Sequence, residues 1–169
     1  MIILGVDPGT AITGYGLVSY GGNHLKKVTF GAIRTGPELS LTGRLQHIYL
    51  ELQKIIAEYK PDAIAVEELF FNKNVRTALA VGHARGVMLL AAANAGYEVA
   101  EYTPLQVKLA VTGYGRAEKI QIQEMVRVLL CLTEIPKPDD AADALAIAIC
   151  HAHSCKLQNL GVESRRKSQ

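Results

Sequence analysis

The chain of 169 residues predicts an α/β fold built on one mixed five-stranded sheet with helices on both faces. Three observations carry that prediction. Three strand-like segments with short links open the chain. Helical apolar spacing then alternates with two further short apolar runs. The length and a hydrophobic content of 49% allow one domain with a real core and not two large lobes.

Ile2 to Asp7 is apolar until its last residue, as a central strand buried on both faces requires. Thr13 to Tyr20 and about Leu25 to Ile33 read as two more strands, joined by the turn-forming "GGN" at Gly21 to Asn23. Short links between them imply an antiparallel meander. Leu41, Leu45, Ile48, Leu52, Ile55 and Tyr59 then recur at helical spacing, and Pro61 marks the exit. "DAIAVEE" is a short buried strand ending in acids. A helix rich in small residues spans about Asn74 to Ala95 and stops near Gly96, and "YEVAEY" is the fifth strand. Thr103 and Pro104 suit the N-cap and first position of a helix over Pro104–Val111. Further helices are expected at Ala117–Leu130 and Asp139–Lys156. Residues 1–157 read as a single domain, and 158–169, ending "ESRRKSQ", as a polar C-terminal tail expected to be disordered.

Bulk properties exclude several classes. A formal net charge of +2 makes any basic surface a local one. Three cysteines without a CxxC pair suit a reduced interior rather than a disulfide framework. "MIILGV" is too short for a signal sequence, and no apolar run reaches membrane-spanning length. A cytoplasmic protein is expected.

The acids carry the chemistry. Asp7 ends the first strand and Glu67 the fourth, and in open α/β sheets sites form beyond the carboxyl ends of strands. Two carboxylates side by side repel unless a cation lies between them or one is protonated. "PKPDDAADALAIAICHAH" adds Asp140 and Asp143, spaced i,i+3 on one helix face, followed by alanines that let the helix lie close on a sheet. Capping and the helix dipole account for Asp139 and Asp140. They account poorly for Asp143, which falls on the apolar face, where an unpaired carboxylate is costly and a metal would remove the cost. Oxygen ligands alone point to Mg²⁺ or Mn²⁺, and two such ions suit in-line displacement at phosphorus.

"ILGVDPGTAITGYG", "AVEELFFNKN", "GHARGV", "QVKLAVTGYGRAEK" and "DDAADALAIAICH" together resemble the RuvC family of Holliday-junction resolvases, in order from about residue 2 to 153. The resemblance implies a ribonuclease-H-like fold and a homodimer. It implies a Mg²⁺-dependent nuclease, with Mn²⁺ a substitute and two ions per site, that nicks four-way DNA junctions at two symmetric positions. The ends left are 5′-phosphate and 3′-hydroxyl, in homologous recombination and DNA repair, with RuvA and RuvB as partners. Carried over, it implies Asp7, Glu67, Asp140 and Asp143 as catalytic, metal-binding acids. The family's acids lie three apart, as in "DAAD", which selects Asp140; Asp139, four residues before Asp143, is the alternative. Strand alternation sends Glu68 to the opposite side from Glu67. The resemblance further implies Phe70 as an aromatic stacked on a junction base. Lys108 and Lys119 match lysines near the cleaved backbone, and Arg116 and Arg76, with Lys73 and Arg85, would extend the basic track. Gly82 and Gly86 on the small-residue helix would lie at a dimer interface. Gly9, Gly14 and Gly16 then serve the strand turn and close backbone approach rather than a phosphate cradle.

Three other readings are weaker. "CHAHSC", Cys150 to Cys155, brings only His151 and Cys155 together on a helix, where structural zinc needs four ligands. His151 also lies about 16 Å along the helix from Asp140. An actin-like or sugar-kinase-type ATP-binding protein shares the opening strand–Asp–x–Gly–Thr, but no second "DxGT" or "DxGG" follows residue 61. A silent junction-binding module would have lost acids, and all four are present.

Overall fold

The computed structural model describes residues 1–68 and 75–166, with side chains through Cys155 other than those of 75–77. Strands β1 (Ile2–Asp7), β2 (Ile12–Gly21), β3 (His24–Arg34), β4 (Ala63–Glu67) and β5 (Val99–Tyr102) form one sheet in the order β3-β2-β1-β4-β5. The first three make the antiparallel meander, and β4 and β5 continue it in parallel. The helices are α1 (Leu41–Tyr59), α2 (Val75–Asn94), α3 (Pro104–Thr112), α4 (Lys119–Leu129) and α5 (Asp139–Arg166).

The strand pleat sorts the core into two layers. Leu4, Val6, Leu17, Ile64 and Val66 pack on one face against Ile48, Leu52 and Ile56 of α1 and Ala84, Met88 and Ala91 of α2. Ile3, Val18 and Ala65 pack on the other against Val107 and Val111 of α3, Val126 of α4 and Leu145, Ile147 and Ile149 of α5. Each large side chain fully buried in this way contributes about 1.5–3 kcal/mol.

Helix α5 lies directly on the middle of the sheet because three strand glycines leave room for it. A Cβ on Gly5 would overlap the Ala144 carbonyl oxygen, and one on Gly14 would overlap that of Asp140. A Cβ on Gly16 would come within 2.7 Å of Leu145 Cγ. Gly5 pairs with Gly16 and Asp7 with Gly14 across β1 and β2, so the bare patch ends beside Asp7.

Two helix boundaries differ from expectation by more than one residue, and β5 begins at Val99 rather than Tyr97. Helix α4 begins at Lys119, not Ala117. The Glu118 N–H donates to Gln121 Oε1 at 2.8 Å, which closes the helix start, while Ala117 plugs the core from the preceding loop at 1% exposure. Helix α5 continues past Lys156 to Arg166. Thr103 does cap α3, accepting from Gln106 N at 3.1 Å, with Pro104 following it. Among the described residues no helix is long and apolar enough to cross a membrane.

Candidate active site

Alternation along the two central strands decides where their terminal acids point. In β1, Ile3 and Gly5 face α5 while Leu4 and Val6 face α1 and α2, so Asp7 falls on the α5 side. In β4, Ala65 faces α5 and Ile64 and Val66 face away, so Glu67 falls on the α5 side too. Parallel pairing of β1 with β4 sets these two acids at adjacent strand ends. Glu68 lies past the strand, exposed, its N–H donating to the Tyr102 carbonyl at 2.8 Å. Helix α5 starts over the same edge, with the Asp140 carbonyl above Gly14.

Asp7, Glu67 and Asp143 line one cleft of about 220 Å³, together with Lys108, Lys119, Pro104, Val107, Ile122, Ala146 and Ile147. Three of its walls, Pro104, Val107 and Ile122, carry no chemical signature in the sequence. Helical spacing of 104, 107 and 108 on α3 is the signal that joins the first two to Lys108.

The electrostatics are those of crowded carboxylates. Burial, then the charges of Asp143, Glu67 and Asp140, push the Asp7 carboxyl from its ordinary 3.8 up to about 8, against a smaller opposing pull from Lys119. Burial and Asp143 also raise Glu67, and Lys108 opposes them. Burial raises Asp143, and Lys119 opposes it.

Asp143 is not the unpaired carboxylate expected from its place on an apolar helix face. Lys119 Nζ donates to its Oδ2 at 2.9 Å and stands 3.7 Å from Asp139 Oδ2. Asp139 in turn accepts from Lys137 Nζ at 3.1 Å, a bond that holds its carboxyl below the usual range. The two neighbouring aspartates therefore differ: Asp140 acts on Asp7, while Asp139 is held by lysines at the rim.

Other expected site residues fall in several places. Arg116 is exposed on the loop before α4, between half-buried Gly115 and buried Ala117. Arg85 is not free to extend a basic track, because it is mostly buried and paired with Glu101. Phe70 and Lys73 lie outside the described residues, as does the side chain of Arg76. On α2, Gly86 faces open space with Leu79 and Leu90 exposed beside it, while Gly82 is half-buried. His151 is used structurally: its Nδ1 pairs with the Tyr102 hydroxyl at 2.9 Å and its Nε2 meets Cys155 Sγ at 3.4 Å. No group of three or more His, Cys, Asp or Glu side chains converges to metal-holding distance among the described residues.

A β3-β2-β1-β4-β5 sheet, with a helix laid across its centre and acids gathered at one edge, defines an α/β protein of the ribonuclease-H-like class. The yeast mitochondrial Holliday junction resolvase Ydc2 shares that fold, with a TM-score of 0.66 at 13% identity over 89% of this chain and 77% of that one. The family model described as crossover junction endodeoxyribonuclease RuvC matches residues 3–151, and the chain belongs to the RuvC family. The RuvC of Desulforamulus reducens is 68% identical over 152 residues, 90% of this chain and 93% of its own. Thermus thermophilus RuvC, solved in complex with Holliday junction substrate, superposes with a TM-score of 0.89 at 37% identity, covering 94% of this chain and 96% of that one.

Proposed function

We propose that the chain is a Mg²⁺-dependent endonuclease that resolves four-way DNA junctions by two symmetric nicks, leaving 5′-phosphate and 3′-hydroxyl ends. The observation that carries the reading is Asp7, a half-buried carboxyl whose burial and whose crowding by three others raise its own pKa to about 8. Such a carboxyl is ionised at neutral pH only when positive charge is brought to it. The junction-bound relative from T. thermophilus supports DNA as the occupant of the cleft.

The donor set fits the metal in kind. Asp7, Glu67, Asp140 and Asp143 offer only hard carboxylate oxygens, which suit Mg²⁺ or Mn²⁺, two ions per site. The fit in distance is incomplete, since Lys119 holds Asp143 and no three of the acids among the described residues converge to metal-holding distance. That ion pair is partly exposed and contributes no more than about 1 kcal/mol, so a divalent cation displaces it readily. Mg²⁺, when bound, supplies Lewis-acid charge at the scissile phosphate and activates the attacking water. The four acids hold charge in place and do not attack phosphorus. Lys108 and Lys119, from α3 and α4, contact the phosphates flanking the cut, and Arg76 and Arg116 lengthen that contact. Phe70 stacks on a base at the junction. The exposed α2 stripe around Gly86 joins two copies into a homodimer, which gives one site per cut strand. RuvA and RuvB are the partners that the family implies, in the cytoplasm.

The test is cleavage of an end-labelled mobile four-way junction with Mg²⁺, followed by ligase. Paired nicks that ligase seals without further processing are expected, with no cutting of linear duplex of the same sequences. Equal cutting of duplex and junction would exclude junction selectivity. Asp7→Asn is expected to abolish nicking and spare junction binding.

A further inference from the structure

The two cleft lysines are joined by a short loop, residues 113–118, running from the end of α3 to the start of α4. The loop is held at both ends. The Thr112 hydroxyl donates to the Lys108 carbonyl at 2.8 Å and accepts from Tyr114 N at 3.0 Å. The Tyr114 carbonyl accepts from Ala117 N at 3.1 Å, and Ala117 itself is buried. Gly113, at φ +72°, makes the left-handed exit from α3 that a side chain would resist. Between these anchors Tyr114 stands 56% exposed.

The loop leans on an apolar ledge. A Cβ on Gly115 would meet the side chains of Leu105 and Leu109, which are 55% and 48% exposed. On α3, Leu105, Lys108, Leu109 and Thr112 share one side, so the ledge continues from the cleft wall at Lys108. Tyr114 on the fixed turn and two leucines on the helix before it leave apolar surface for an occupant to cover. Arg116 and Glu118 offset one another within the loop, so attraction for anions comes from Lys108 and Lys119 on its flanks. Apolar surface between phosphate-binding lysines matches a nucleotide, with its backbone in the cleft and its base on the ledge.

We propose that Tyr114, on the loop that meets Leu105 and Leu109 at Gly115, is a stacking platform for a nucleobase of the strand whose phosphate enters the cleft. The inference rests on DNA occupying that cleft, as proposed for the nuclease. The platform belongs to the loop between α3 and α4 and does not draw on Phe70, which lies outside the described residues. It adds affinity without charge and tolerates any base, because every base presents a π-face.

The test is binding of a synthetic four-way junction to the full chain in chelator, with 2-aminopurine placed at successive positions around the exchange point. Tyr114→Phe is expected to bind within about two-fold of wild type, since the ring that stacks is kept. Tyr114→Leu and Tyr114→Ala are expected to bind about 5- to 100-fold more weakly. Their salt dependence should be unchanged, since no charge is lost. Wild type should quench 2-aminopurine at one or two positions, and Tyr114→Ala should release that quenching. Tyr114→Leu binding as wild type does, with quenching unaltered, would overturn the platform and leave the ledge to a protein partner. Wild type preferring junction no more than duplex would instead defeat the junction reading, and this proposal with it.

Discussion

Asp7 is the residue at which folding and function pull against each other. In the metal-free fold its carboxyl keeps its proton up to pH about 8, while in the unfolded chain it ionises near its ordinary 3.8. Between those values the folded state holds more protons, so this contribution to stability is full below about pH 4 and is lost as pH rises toward 8. Asp7→Asn removes the penalty. In chelator at pH 8 the variant is expected to melt at least about 3 °C above wild type, with the gap closing toward about pH 4.5; thermal melts across that range check it. Adding Mg²⁺ should raise the wild-type melting temperature and leave Asp7→Asn unmoved. A wild-type protein that gains stability with pH relative to the variant would contradict the crowding of acids around Asp7. Lys119 makes a second residue-scale prediction. Lys119→Ala is expected to weaken junction binding and lower the salt slope by about one, measured by titration at several salt concentrations.

At the scale of elements, the site depends on how closely α5 lies on the sheet. Gly14 pairs with Asp7 and sits under the Asp140 carbonyl, so it sets the distance between a strand acid and a helix acid. Gly14→Ala is expected to cost about 1–3 kcal/mol through overpacking and to lower the melting temperature by several degrees. Its loss of nicking rate should exceed what the unfolded fraction explains, because Asp140 is pushed away from Asp7; activity and melting measured on one preparation separate the two. Much of this geometry was legible in the sequence. Apolar runs marked the strands, alternation chose Glu67 over Glu68, and the alanines after Asp140 implied a close-lying helix. The Lys119–Asp143 pair was not legible, since twenty-four residues and a helix boundary separate its partners. The glycines of the loop before α4 suggest flexibility, whereas Thr112 ties the loop down through hydrogen bonds that spacing does not reveal. Arg85 looked available as a cation because Glu101 lies on a different element.

At the scale of the whole molecule, two symmetric nicks require two sites in one assembly. The face of α2 carrying Leu79, Gly86 and Leu90 is exposed, and it is the surface we propose for a second copy. Leu90→Glu is expected to shift the protein from dimer to monomer in sedimentation. The same variant should turn paired cutting of a cruciform plasmid into single nicks, while its melting temperature stays close to that of a monomeric control. A variant that remains dimeric and cuts both strands together would move the interface elsewhere.

Four acids acting as one cation-holding set are the centre of the account, and Asp140→Asn tests that most directly. Mg²⁺-dependent nicking of a labelled four-way junction would be followed for wild type, Asp140→Asn and Asp139→Asn side by side. Paired nicks are expected from wild type and from Asp139→Asn, with none from Asp140→Asn although it still binds the junction. Nicking that survives Asp140→Asn and disappears in Asp139→Asn would contradict the assignment.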